Sequence, residues 1–422
     1  MKRLLTLLLA AALLIPSAIP AEAATVSPAL DVLAGNFVMV KAGLSGSDIL
    51  FTPTDFAQAV GLADFTSLTV TSLPPAEDGA LYLGETKLKE GQTIRQSMLK
   101  YLTFRAADAA VSSSDFTFSL PEKYALADLT CSLVFLDRIN EAPVSAPEGA
   151  LGSVSTFRNI AVSSHLPASD PENDRLTYRV VKAPGKGTLE LFDAASGDFR
   201  YTPDKNYTGK DSFSYVVCDE YGNYSKLATV KIRIAKNKSG ISLADMAGSG
   251  KESAAVSACA AGYMQAASVG GTLYFEPERI VSRAEFVASC LAAAKIDTSL
   301  YKKEAVSVFD DRDDIPQKYL PAVCTALLAG FLEPSAENGR VLDPMGAISR
   351  AEASAIGARV FGLASLAASA GESSPVLDRE AALDCAAACG MLLPSGGSLA
   401  ESEPLRRDDC AVLLSAAILA SK

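Results

Sequence analysis

Val281-Ser282-Arg283-Ala284-Glu285, Ile348-Ser349-Arg350-Ala351-Glu352 and Leu405-Arg406-Arg407-Asp408-Asp409 are three copies of one phrase near the end of this 422-residue chain. A phrase that recurs at an interval marks a modular array, and it decides how the surrounding sequence folds. Each copy opens an apolar, Ala-rich stretch. The first two follow Pro-containing loops, Phe275-Glu276-Pro277 and Leu342-Asp343-Pro344, and the third follows the weaker Leu399-Ala400-Glu401.

The phrase reads as a helix start. Ser282 stands three residues before Glu285, and Ser349 three before Glu352. In this capping-box spacing Ser takes the amide three residues on and Glu reaches back to the Ser amide. Asp409 takes the acidic part in the third copy, but Arg406 cannot cap as Ser does. Arg283, Arg350 and Arg407 fall at the first helical position, where the dipole slightly disfavours a cation. They are expected to serve something other than helix stability; as solvated surface arginines they would need no further role.

Residues 243–422 resemble a triplet of S-layer homology modules. The pattern is an early Asp, an apolar helix ending in Gly, a Phe-x-Pro loop, then Ile-Thr-Arg-Ala-Glu. Copy one (243–300) supplies Asp245, a helix through Ala254 to Gly262, and the motif at Ser282. Copy two (301–365) supplies Phe309-Asp310, a helix from Tyr319 to Gly330, and the motif at Ser349. Copy three (366–422) is divergent, with a helix from Glu380 to Gly390. The resemblance implies an all-α, three-repeat helical spindle with pseudo-threefold symmetry. It also implies binding of acidic secondary cell-wall polysaccharide, often pyruvylated, by Arg283, Arg350 and Arg407 in grooves between repeats. A guanidinium fork suits a carboxylate well. Arg407 is expected to contribute least, since its copy departs furthest. The family's Trp is missing, as the chain has no Trp.

Upstream the pattern changes to strands. Leu176–Val180, Thr188–Leu191, Phe199–Tyr201, Ser212–Val217 and Ala228–Ile234 alternate between turn residues, which predicts an antiparallel sandwich. Asp170-Pro171-Glu172-Asn173-Asp174, Pro184-Gly185-Lys186-Gly187 and Tyr201-Thr202-Pro203 make residues 139–235 similar to bacterial Ig-like, cadherin-like modules. Residues 36–138 read as a divergent copy. Gly79-Ala80-Leu81 echoes Gly187-Thr188-Leu189, Leu102-Thr103-Phe104 echoes Phe199-Arg200-Tyr201, and a short helix is expected near Ser97 to Tyr101. Residues 24–35 and 236–242 read as linkers. The cadherin-like resemblance implies calcium, with Asp137, Asn140, Asp170, Glu172 and Asp174 as candidate ligands. Hard cations take clustered carboxylate and carbonyl oxygens, although Asp and Asn also favour turns for local reasons.

Residues 1–23 have a basic start, an apolar run from Leu4 to Ile15 and a small-x-small site at Ala21-Glu22-Ala23, the pattern of a signal peptide. No later stretch reads as a membrane span, so an exported protein on the extracellular surface or S-layer of a bacterium is expected. The net charge of −11 argues against a nucleic-acid partner. The eight Cys form no small-domain framework. They read as buried apolar thiols, with Cys259–Cys290 the best candidate bridge. His165 is the only His, and no catalytic constellation stands out. The favoured reading is a non-catalytic, wall-anchored protein displaying Ig-like modules toward an unidentified outer partner. The alternative is a wall-associated carbohydrate-active hydrolase with its site in residues 36–138.

Overall fold

A computed structural model describes residues 37–61, 65–120, 124–145, 153–332, 340–363 and 402–421. The expected signal peptide, the linker 24–35, the helix Glu380 to Gly390 and its Cys385 and Cys389 lie outside these residues.

The first module is a pair of sheets. The larger runs in the order β1 (Val38–Leu44), β9 (Tyr124–Leu136), β8 (Ser113–Leu120), β3 (Ser67–Ser72), β6 (Thr93–Arg95). The smaller runs β2 (Ile49–Leu50), β7 (Leu102–Ala106), β4 (Gly79–Leu83), β5 (Thr86–Lys87). Strand β8 shows why it sits centrally. Ser114, Phe116, Phe118 and Leu120 point inward at period two, and the intervening side chains are more exposed. Phe116 and Phe118 meet Phe51 and Phe56 edge-on at centroid distances of 5.9 and 5.2 Å. Phe56 lies on a helix, α1 (Pro53–Ala59), which was not expected here. The sequence states it plainly. Thr52 caps the Asp55 amide, the Asp55 carboxylate returns to the Thr52 amide, and Pro53 sits at the first turn. The helix near Ser97 is present as a 3-10 segment, Gln96–Tyr101.

The second module repeats this plan. Its larger sheet runs β11 (Ser153–Phe157), β18 (Ala228–Ala235), β17 (Gly209–Asp219), β14 (Leu176–Lys182), and its smaller β12 (Val162–His165), β16 (Asp198–Pro203), β15 (Gly187–Leu191). In the larger sheet of both modules the first strand in sequence pairs in parallel with the last, and the rest of the ladder is antiparallel. Two glycines carry the same steric signature. A Cβ on Gly79 would lie 2.2 Å from the Arg105 carbonyl and press on Phe104, and one on Gly187 would lie 2.5 Å from the Thr202 carbonyl and press on Tyr201. Aromatic rings of the neighbouring strand fill the space a side chain would take. Where module one places α1, module two places the short strand β13 (Ala168–Ser169), paired with β10 (Val144–Ser145), and the acidic turn that follows it.

The C-terminal region overturns the expected all-α S-layer homology spindle. Its described residues hold five α-helices: α2 (Glu252–Ala261), α3 (Arg283–Ala293), α4 (Leu320–Leu328), α5 (Arg350–Val360) and α6 (Arg407–Ala420). They also hold a hairpin, β19 (Ala267–Val269) with β20 (Thr272–Tyr274), and 3-10 segments at Lys303–Val306 and Arg312–Asp314. The hairpin forms because Gly270 and Gly271 adopt φ of 58° and 83°, the turn that favours two-residue β-hairpins. The described residues are therefore β-rich overall, with a mixed C-terminal domain. Its helices share one core, with Val256, Phe275, Phe286, Ile348 and Leu414 all buried. Stretch 236–242 is no open spacer: Asn237 donates to the Ile241 carbonyl, and Phe157 of β11 packs on the C-terminal core.

Gly187→Ala is expected to cost about 1–3 kcal/mol through overpacking against Tyr201 and the Thr202 carbonyl. Urea unfolding checks this, and an unchanged midpoint would show that the contact relaxes freely.

Candidate functional sites: an arginine ring and an acidic turn

The three motif openings meet. Val281 donates its amide to the Leu405 carbonyl at 2.9 Å, Leu405 to Ile348 at 2.8 Å, and Ile348 to Val281 at 3.1 Å, which closes a ring of backbone bonds. The motif side chains close a second ring. Arg283 forks onto Glu352 at 2.6 and 3.0 Å, Arg350 reaches Asp409 at 3.3 Å, and Arg407 reaches Glu285 at 2.7 Å. Each arginine thus serves the acidic position of a neighbouring copy.

These arginines are deeply committed. Arg407 also donates to the Phe275 and Gln265 carbonyls and stacks on the Phe275 ring at 4.8 Å. Arg283 adds the carbonyls of Leu342 and Asp343. Side-chain exposure falls from 18% at Arg283 to 10% at Arg350 and 6% at Arg407. They clamp copy to copy, a role beyond the stability of their own helices. The capping reading is also only half met. Ser282 and Ser349 accept from the Glu285 and Glu352 amides, while the Glu carboxylates turn to arginines. Asp245 accepts the Phe275 and Glu276 amides, and in copy two Asp311, rather than the expected Asp310, accepts those of Leu342 and Asp343. Asp310 instead pairs with Arg340.

Cys259 and Cys290 stand as free thiols, so the suggested bridge is not made. Burial pushes the thiols of Cys290 and Cys410 well up, as suits small apolar core residues.

The candidate calcium ligands separate into groups. Asp170, Glu172 and Asp174 converge, with one carboxylate oxygen from each within 4.8 Å of the others. One Asp170 oxygen is used by the turn, accepting the Glu172 and Asp174 amides at 3.0 Å. The other, with one oxygen of Asp174, is buried without a hydrogen-bond partner. A buried carboxylate oxygen without a partner is costly unless a cation, a water or a proton meets it. Asp174 is held above the ordinary carboxylate value by desolvation and then by the charges of Asp170, Asp219 and Glu220. Asp137 and Asn140 each have a partner of their own. Asp137 meets Ser45, and Asn140 donates to Asp219 at 2.7 Å. Asp219 is itself saturated by the Tyr221 and Asn223 amides and the Asn223 side chain.

His165 pairs with Asp198 at 3.0 Å across the ladder from β12 to β16 and meets Tyr178 edge-on. A cleft of about 300 Å³ with charged side chains in its wall opens between the second module and the C-terminal domain, with Asp198 in its lining. Phe192, Lys251, Arg350, Arg406 and Asp409 line it. Lys251 is held by Asp408 and Asp409 at 2.9 and 2.6 Å.

Residues 140–236 match the family model of the bacterial cadherin-like domain, and this match includes no residue of the arginine ring. No curated protein shows significant sequence similarity to the chain. Solved structures with some likeness include an endo-fucoidan hydrolase of glycoside hydrolase family 107. It is 20% identical over 48% of this chain and 28% of its own, with a TM-score of 0.20, so most of that enzyme lies outside the likeness. The fibronectin(III)-like modules of Clostridium thermocellum CbhA are 15% identical over 49% of this chain and 94% of theirs, with a TM-score of 0.21. Drosophila N-cadherin EC1-3 is 15% identical over 47% and 65%, with a TM-score of 0.22.

Arg407→Ala leaves Glu285 with Arg279 alone and takes the donor from the Phe275 and Gln265 carbonyls. The three lost bonds are expected to destabilise the C-terminal domain by about 3–5 kcal/mol, and the more exposed Arg283→Ala by about 1.5–3 kcal/mol. Urea titrations of the two variants decide the order. A larger loss for Arg283→Ala would contradict the clamp reading.

Proposed function

We propose that this is a non-catalytic exported protein of the bacterial surface, which displays two β modules as a spacer or adhesin. The cadherin-like match of residues 140–236 carries the reading. A domain of this kind suggests an extracellular or surface protein, and among the described residues no helix is long and apolar enough to cross a membrane.

Attachment falls to the C-terminal domain in this proposal, with acidic secondary cell-wall polysaccharide as its partner. Arg283 and Arg407 are bound internally; Arg406 and Lys251 are paired as well, with Glu278, Asp408 and Asp409, but they lie at the cleft and are more exposed. Arg406 is 39% exposed and Lys251 24%. Phe192, 47% exposed at the same cleft, adds an apolar face. Arg406→Ala is expected to weaken sedimentation with purified walls about ten-fold, from a charge-assisted bond worth roughly 1.5–3 kcal/mol. The intact chain should pellet and a chain ending at residue 235 should not. Pelleting of the shortened chain would overturn the attachment proposal, and release of saccharides from the walls would favour a hydrolase instead.

Calcium fits the acidic turn. Asp170, Glu172 and Asp174 would hold it, and the ion would supply the positive charge that their unpaired oxygens lack. Glu172 also accepts the Glu141 amide at 3.1 Å, so the turn is tied to the segment between modules. Calcium in hundredfold excess over its Kd would add about 2.7 kcal/mol to stability. EDTA should therefore lower the Tm, and Asp170→Asn should abolish the difference. Without metal the pH dependence has a definite sign. A carboxyl group with a raised folded value destabilises the fold when ionised, so the penalty at Asp174 is present above that value and fades as pH falls through it. A Tm unaffected by EDTA would remove calcium from this reading.

A further inference from the structure

The two β modules touch through contacts outside the acidic turn. Arg179 of β14 crosses to helix α1 of the first module. Its guanidinium donates to the Gln58 carbonyl at 2.6 Å and the Ala59 carbonyl at 3.3 Å. These are carbonyls of the last helical turn, which lack the regular intrahelical donors; Gln58 also takes the Gly61 amide at 3.2 Å. A cation there also meets the negative end of the helix dipole. Tyr224 holds the guanidinium from its own module, with the ring centroid 5.1 Å away.

A backbone contact seals the same face. Ala42 of β1 donates to the Tyr221 carbonyl at 3.2 Å. The next residue, Gly222, has φ of 88°, and a Cβ there would lie 2.0 Å from the Val40 carbonyl. Only glycine allows the turn to lie flat against β1. The turn is braced from beneath by Asp219, which also takes the Asn140 side chain from the segment between modules.

We propose that this face is a metal-independent lock that joins the two β modules into one rigid body, with α1 as the docking element and Arg179 as its clasp. Two features separate this from stiffening by a cation. Arg179, Gly222, Ala42 and α1 contribute no ligand to the acidic turn. The interaction is also made in full by protein groups, with donors and acceptors matched on both sides. The first module thus spends its extra helix on its neighbour. The inference does not depend on wall attachment or on calcium binding.

Small-angle scattering and calorimetry of the full chain, each with calcium and with EDTA, test it. Arg179→Met keeps the apolar stem and removes the donors, and Gly222→Ala places a methyl group against Val40. The wild-type chain should keep one compact scattering profile and one joint melting transition for the β modules, whether or not EDTA is present. Either variant should broaden the distance distribution and split that transition in two, with the strand signal in circular dichroism retained. If Gly222→Ala disrupts folding through its left-handed backbone, Arg179→Met alone decides. Loosening of the wild-type chain by EDTA to the variants' extent would overturn the proposal, since the metal would then be the lock. Variants indistinguishable from wild type would overturn it as well.

Discussion

A closed ring governs the C-terminal domain: three amides and three guanidiniums, each bonded to a neighbouring copy, tie the motif segments to one another. Val281, Ile348 and Leu405 exchange backbone bonds in a cycle, and Arg283, Arg350 and Arg407 reach carboxylates on neighbouring helices. An arginine at the first helical position is mildly unfavourable to its own helix. Here the carboxylate of an adjacent helix outweighs that effect, and burial makes the loss of either partner costly. Closure also explains the contact of α6 with α2, since Lys251 at the start of α2 is held by Asp408 and Asp409 at the start of α6. The last helix completes what the first begins.

Much of the fold was legible in local pattern. The strand runs at Leu176, Thr188, Phe199, Ser212 and Ala228 all fall within β14 to β18, because period-two alternation records which face is buried. The echo between Gly79 and Gly187 was visible as a phrase, and its cause is one shared steric constraint. Helix α1 was equally legible, since Thr52-Pro53-Thr54-Asp55 carries cap, proline and box together, yet a module read as all strand left no place for it.

What stayed hidden is non-local. No single copy contains both an arginine and its partner carboxylate, so spacing within the phrase could not show that Glu285 serves Arg407 or Glu352 serves Arg283. The same holds for Arg179, whose acceptors are backbone carbonyls of another module and leave no trace in residue type. Among the acidic candidates, Asp170, Glu172 and Asp174 were brought together by one turn, which short spacing does reveal. Asp137 and Asn140 have Ser45 and Asp219 as partners. The all-α expectation failed at Gly270-Gly271, where a turn chemistry plain in the sequence makes a hairpin.

The two halves thus hold together by different physics. The β modules rely on aromatic cores and an arginine clasp, and the C-terminal domain on a cycle that must be complete to be stable. Native-state hydrogen exchange at the amides of Val281, Ile348 and Leu405 tests that cycle most directly. Closure requires all three to exchange only through global opening of the domain, with equal protection free energies that fall together in Glu285→Gln. Three unequal protections, with Val281 or Leu405 weakened and Ile348 untouched by Glu285→Gln, would contradict it.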